Sequence, residues 1–186
     1  MDVKRVESAI PGVSFDEEVE RFNWPIQVKR WLWHDKYFKG LAAYCRTFSV
    51  NGALELGTCT GASAVCLAKY AGSVVTCDLT DWSVADPAIF TGRLAFRKCE
   101  TASDVLRLDY CKFDVAFVDI DHLGLTERLI HLKLHADGFR GDVFYDDIRA
   151  NAEMESFWDS VHEPKLELDW HSSGFGIVRY GGGKGN

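Results

Sequence analysis

Residues 53–70 read ALELGTCTGASAVCLAKY, and the architecture follows from this stretch. Ala53–Leu56 is an apolar run interrupted only by Glu55 and ended by Gly57, the pattern of a strand buried on both faces. Ala62 to Tyr70 has helical character, so strand passes to helix through the short loop 57–61. Gly57 and Gly61 bracket that loop. Without a Cβ they accept positive φ and let backbone approach a ligand closely. The helix then begins near Ala62 with its free amides aimed at the loop.

The rest of the chain repeats this alternation. Ser73–Leu79 (SVVTCDL) is a β-branched run ending in an acid, and Leu94–Cys99 is a weaker strand followed by a short helix over Ala102–Leu108. Val115–Ile120 is a strong strand. Leu125, Leu129, Leu132 and Ala136 mark one helical face, closed by Gly138. Val143–Tyr145 opens another strand, while Leu166–Trp170 and Phe175–Tyr180 flank Ser-Ser-Gly and read as a hairpin. Apolar strands alternating with helices predict an α/β fold. The expectation is a doubly wound, mostly parallel, Rossmann-like sheet of seven strands, with a C-terminal antiparallel hairpin strand at its edge. All 186 residues are read as one domain. Residues 1–50 form a helical or lid segment carrying Trp24, Trp31 and Trp33, residues 51–180 the α/β core, and residues 181–186 a flexible tail.

In such sheets ligands bind beyond the carboxyl ends of the strands, where strand order reverses. Glu55 suits a cationic group there, such as the methionine part of a sulfonium cofactor. Asp78, with Leu79 beside it, ends the next strand about twenty residues on, where a carboxylate can accept both ribose hydroxyls. The loop contains no GxG, which argues against a nicotinamide dinucleotide.

Composition narrows the partners. The apolar fraction is 47%, as for a globular chain, and the net charge of −7 offers no bulk attraction for nucleic acid. No window of 18 or more apolar residues occurs and the first residues lack a signal-peptide core, so no membrane association and a cytoplasmic location are expected. The six cysteines form no CxxC pair and read as reduced thiols, several of them in the core.

These segments resemble the class I S-adenosylmethionine-dependent methyltransferases. More narrowly, they resemble the metal-dependent catechol and caffeoyl-CoA O-methyltransferase group and its bacterial relatives. The resemblance runs over residues 50–150. The group's glutamate and Gly-x-x-Thr-Gly-x-Ser pattern is matched by Glu55, Gly57, Thr60, Gly61 and Ser63, with Thr58 inside the loop. Its ribose-binding aspartate matches Asp78, and its adenine-side alanine matches Ala102.

A second constellation carries the chemistry. FDVAFVDIDH ends a strand with Asp119, Asp121 and His122, and DVFYDDI ends the next with Asp146 and Asp147. Neighbouring strands lie about 4.8 Å apart, so Asp119, Asp146 and Asp147 are expected around one point. Clustered carboxylates repel unless a cation joins them, and oxygen-only ligands suit Mg²⁺ or Mn²⁺. The resemblance implies the same three metal ligands, with Asp119 also on the cofactor side. Two departures from the group's pattern stand out. Asp147 falls where Asn is common, and His122 replaces the lysine thought to act as base. Histidine, or failing it Asp121, is given that role. His131, His135, His162 and His171 are read as structural.

The resulting expectation is methylation of a hydroxyl on a small molecule, with Trp24, Trp31, Trp33 and Trp82 as candidates to line the acceptor pocket. The alternatives left open are a metal-independent methyltransferase with another acceptor and a non-catalytic cofactor-binding module. A homodimer is compatible with the resemblance.

Overall fold

A computed structural model describes residues 2–79 and 92–181; Trp82 and residues 182–186 lie outside them. Four helices come first: α1 (Val3–Ala9), α2 (Asp16–Arg21), α3 (Ile26–His34) and α4 (Lys36–Phe48). They are followed by β1 (Gly52–Leu56), α5 (Ala62–Ala68), β2 (Ser73–Asp78), β3 (Leu94–Lys98) and α6 (Ala102–Val105). The chain continues through β4 (Val115–Val118), α7 (Leu125–Ala136), β5 (Gly141–Asp146), α8 (Ala152–Ser160), β6 (Lys165–Leu168) and β7 (Phe175–Tyr180).

The strands form one seven-stranded sheet in the order β3-β2-β1-β4-β5-β7-β6. β1 to β5 run parallel, and β7 pairs antiparallel with both β5 and β6. The expected architecture stands, with one difference. The antiparallel strand does not lie at the edge: it is inserted beside β5, and β6 takes the edge. Phe175, Ile177 and Val178 of β7 are buried, whereas Leu166 of β6 is 45% exposed, so the more apolar strand takes the inner position.

Each face of the sheet has its own apolar layer. Ala53 of β1 and Phe117 of β4 join α4, α5 and the N-terminal helices, while Leu54, Leu56, Ala116 and Val118 join Val105, Ile130, Leu134, Met154 and Phe157 on the other face. Residues alternate between faces yet are apolar on both, which explains why β1 and β4 read as continuous runs. Residues 3–48 are helical and pack into the first layer through Val6, Phe15, Trp24, Val28, Leu32 and Leu41. Among the described residues no helix is long and apolar enough to cross a membrane. All six cysteines are free thiols.

Candidate active site

β1 and β4 lie side by side where the strand order reverses, and a cavity of about 460 Å³ opens at their carboxyl ends. Gly57, Asp78, Leu79, Ala102, Asp119, Asp121 and His122 line it, all of them expected at the site. Cys59, which sequence reasoning passed over, lines it too. A cavity of this size with a few convergent polar groups is typical of a small-ligand site.

The loop after β1 is held from both sides. The Gly57 amide donates to the Cys77 carbonyl at 2.8 Å, and the Asp119 amide donates to the Leu56 carbonyl at 2.8 Å. Gly57 has φ +104°, and a Cβ there would lie 1.5 Å from the Asp119 carbonyl oxygen. The close approach at this glycine is thus to the neighbouring strand end, and the same residue lines the cavity. Further along, the Cys59 amide donates to Asp78 Oδ2 at 2.9 Å, so the loop also fixes the candidate ribose acceptor.

Of the residues expected from the β1–α5 motif only Gly57 lines the cavity; Glu55, Thr58, Thr60, Gly61 and Ser63 do not. Glu55 is fully buried, accepts a hydrogen bond from Thr76 and lies against Ser63. Burial pushes its carboxyl up to about 8, with the Ser63 and Thr76 hydroxyls opposing the shift. Alternation in β1 turns Glu55 away from the face bearing Leu54 and Leu56, so its side chain does not line the cavity where a cationic ligand was expected. Thr58 is also buried, its hydroxyl 2.6 Å from that of Thr76. Thr60 offers its carbonyl to the Trp24 indole N–H at 3.3 Å. Gly61, at φ +77°, is the N-cap of α5. These residues shape the loop. Trp24, Trp31 and Trp33 are absent from the cavity wall: Trp24 is core, and Trp33 donates to Asp16.

At the ends of β4 and β5 the acids gather, although not around one point. The His122 ring spans them, with Nε2 2.8 Å from Asp119 Oδ1 and Nδ1 3.4 Å from Asp147 Oδ2. Asp146 and Asp147 share a second imidazole: His171 Nδ1 lies 3.0 Å from Asp146 Oδ1 and 3.5 Å from Asp147 Oδ1. The Ser173 hydroxyl donates to Asp147. Ligand atoms of Asp146, Asp147 and His171 lie within 4.8 Å of one another, whereas Asp119 joins the group through His122.

Two expectations change here. His171, read as structural, belongs to the cluster, so a cation would meet a mixed nitrogen–oxygen set rather than oxygen alone. The Asp119 hydrogen bond holds His122 up to about 9, with the nearby acids adding to the effect and burial opposing it. The acids around the ring favour its protonated form, so in this arrangement the shift runs against a role as base. Asp121 spends both oxygens on the turn, accepting from the Leu123 amide at 3.1 Å and the Thr126 hydroxyl at 2.6 Å.

The backbone supports the cluster at a cost. His122 and Asp147 have φ of +54° and +56°, and Cys59 has +43°, so the loops after β4, β5 and β1 each place a side-chain-bearing residue in the left-handed region. Such conformations cost on the order of 1 kcal/mol each and persist where surroundings enforce them. The His122 amide donates to buried Glu127 Oε1 at 3.2 Å, and the Asn151 side chain donates to the His122 carbonyl at 2.9 Å. Asn151 also caps α8, so Asp146 and Asp147 are not needed as helix caps.

No protein-family model and no curated protein matches the sequence. Solved structures do share the fold. A methyltransferase of Podospora anserina bound to S-adenosylhomocysteine aligns with a TM-score of 0.67 at 15% identity, over 89% of this chain and 86% of that one. An O-methyltransferase of Bacillus cereus in complex with S-adenosylhomocysteine gives 0.60 at 18% identity, over 97% and 89%. TomG of Streptomyces achromogenes, an O-methyltransferase involved in tomaymycin synthesis and solved with S-adenosylmethionine, gives 0.60 at 16%, over 78% and 80%. At these identities the likeness is one of fold, and the fold is the Rossmann-like one of methyltransferases.

Proposed function

We propose that this chain is an S-adenosylmethionine-dependent methyltransferase that acts on a small hydroxylated molecule with the help of a divalent ion. The observation that carries the reading is the continuity between cavity and cluster. Asp119 and His122 belong to the cavity wall, and His122 ties that wall to Asp147 and so to Asp146 and His171. A nucleoside-sized cavity and a polyacidic cluster therefore share one boundary.

The residues present fit both groups. Asp78, which lines the cavity and accepts from the Cys59 amide, is the candidate acceptor for the ribose hydroxyls, and Leu79, Ala102 and Val105 supply apolar wall. Bound there, S-adenosylmethionine supplies an electrophilic methyl carbon. Asp146, Asp147 and His171, with Asp119 at the margin, are the candidate ion ligands. Imidazole among carboxylates suits Mn²⁺ or Fe²⁺ as well as Mg²⁺. A divalent ion stabilises oxyanion character and lowers the pKa of a bound hydroxyl. His122 takes the substrate proton only in its neutral form, which requires its acidic partners to be neutralised by another cation. The left-handed turns at His122 and Asp147 orient both side chains before substrate arrives, and orientation is a large part of what such a site contributes.

Titration calorimetry with S-adenosylmethionine and S-adenosylhomocysteine, with and without Mn²⁺, tests the reading. Micromolar cofactor binding is expected, together with a separate Mn²⁺ site that depends on Asp146 and Asp147. Cofactor binding with no such ion site would remove the metal-assisted chemistry. Failure to bind either nucleoside would overturn the assignment.

A further inference from the structure

α7 carries a second cluster, at the opposite end from the candidate active site. Its first turn holds Glu127, which supports His122; eight residues on, about 12 Å along the axis, stands His135. His131 and His135 are four residues apart and therefore neighbours on one helix face. Their rings are 4.8 Å apart between centroids. The segment between α8 and β6 brings Glu163 against both. Glu163 Oε1 is 2.5 Å from His135 Nε2, and Oε2 is 3.5 Å from His131 Nε2.

We infer that His131, His135 and Glu163 form a binding site for a borderline divalent cation of the Zn²⁺ type, separate from the candidate active site. The three ligand atoms lie within 4.8 Å of one another. Zinc bonds of about 2.0–2.2 Å to such atoms place them about 3.4 Å apart in a tetrahedron, within reach of small side-chain rotations. Two imidazoles and one carboxylate, with a fourth position for water, form a donor set that zinc accepts.

Two further observations point to a ligand. Glu163 Oε2 is buried without a hydrogen-bond partner, yet it faces His131 Nε2. A buried carboxylate oxygen left so is costly, and a cation between it and the rings would satisfy it. The Tyr180 hydroxyl meets His131 Nδ1 at 2.5 Å and is itself 2.9 Å from the Tyr145 hydroxyl. That contact leaves Nε2 as the nitrogen turned toward Glu163, and metal-binding histidines are commonly oriented in this way through their other nitrogen. The site would tie α7 to the α8–β6 segment and to β7, all part of one core layer.

The test is Zn²⁺ titration of the full chain, first with Asp146→Asn and Asp147→Asn in place so that the acidic cluster does not contribute. One Zn²⁺ per chain is expected in that background, and Co²⁺ in its place should give the visible d–d absorption of a low-coordinate site. Adding His135→Ala, a change at a half-exposed ring, should weaken Zn²⁺ by about 100-fold or more; Tyr180→Phe should weaken it by about 10-fold. If the background variant does not fold, the wild type serves, and His135→Ala should remove one Zn²⁺ equivalent from its stoichiometry. No Zn²⁺ binding, or binding that His135→Ala and Glu163→Gln leave unchanged, would overturn the proposal. These outcomes do not depend on whether the chain binds S-adenosylmethionine.

Discussion

Asp142 and Asp146 sit at opposite ends of β5, four residues apart, and are 3% and 4% exposed. Their surroundings differ. Asp142 receives a two-pronged Arg179, with Nε at 2.8 Å and Nη2 at 2.7 Å, and the Tyr44 hydroxyl at 2.5 Å. It is a finished ion pair that locks α4, β5 and β7 together. Asp146 receives the Asp147 amide and a shared histidine, with a second carboxylate alongside. One end of the strand holds a balanced charge, and the other holds a surplus. Burial alone therefore does not mark function; an uncompensated buried charge does.

That contrast can be broken experimentally. Asp146→Asn should cost the most in activity, lowering turnover and Mn²⁺ affinity by about 100-fold or more while cofactor affinity changes only a few-fold. Steady-state kinetics and calorimetry read both. Arg179→Ala should do the reverse. It leaves Asp142 buried without its cation, and denaturant midpoints should show a loss of about 2–3 kcal/mol, less than for a fully buried pair because Arg179 is one-third exposed. Mn²⁺ affinity should hold. If Arg179→Ala instead abolishes ion binding with the fold intact, the two ends are not independent.

Glu55 sharpens the comparison with a smaller effect. Its folded pKa is raised above the ordinary value, so its stabilising contribution is complete below about pH 4.5 and is lost as pH rises through about 8. Glu55→Gln mimics the protonated acid. It should flatten that loss, raising stability at pH 8.5 by on the order of 1–2 kcal/mol over wild type and changing it little at pH 5. Thermal unfolding across pH checks this, and equal slopes for both proteins would show that Glu55 is ionised where it lies.

The sheet was legible because β1, β4 and β5 are apolar on both faces, a pattern that leaves little else for them to be. Asp78, Asp119 and the Asp146–Asp147 pair were brought to one edge by the rule that strand ends in a parallel sheet lie together, whereas Ala102, at the start of α6, came only from the resemblance. His171 was not. Its position depends on β7 entering beside β5, and reading the hairpin as an edge addition moved the turn before β7 away from Asp146. Glu55 was misplaced for another reason. Its motif position suggests a ligand, but the two-residue alternation of β1 decides which way it points, and that points it into the protein. The state of His122 was also out of reach, since its ordinary pKa says nothing about three acids closing around it.

The insertion of β7 also bears on how the molecule assembles. β5 pairs on one side with β4, and its other side is completed only by a strand some thirty residues later. Until β7 arrives, Val143, Phe144 and Tyr145 line an open apolar edge, the kind of template that invites pairing with another chain. The same arrival brings His171 and Ser173 to Asp146 and Asp147. During folding, then, closure of the aggregation-prone edge and completion of the acidic cluster are one event, and a chain that lacks the first lacks the second.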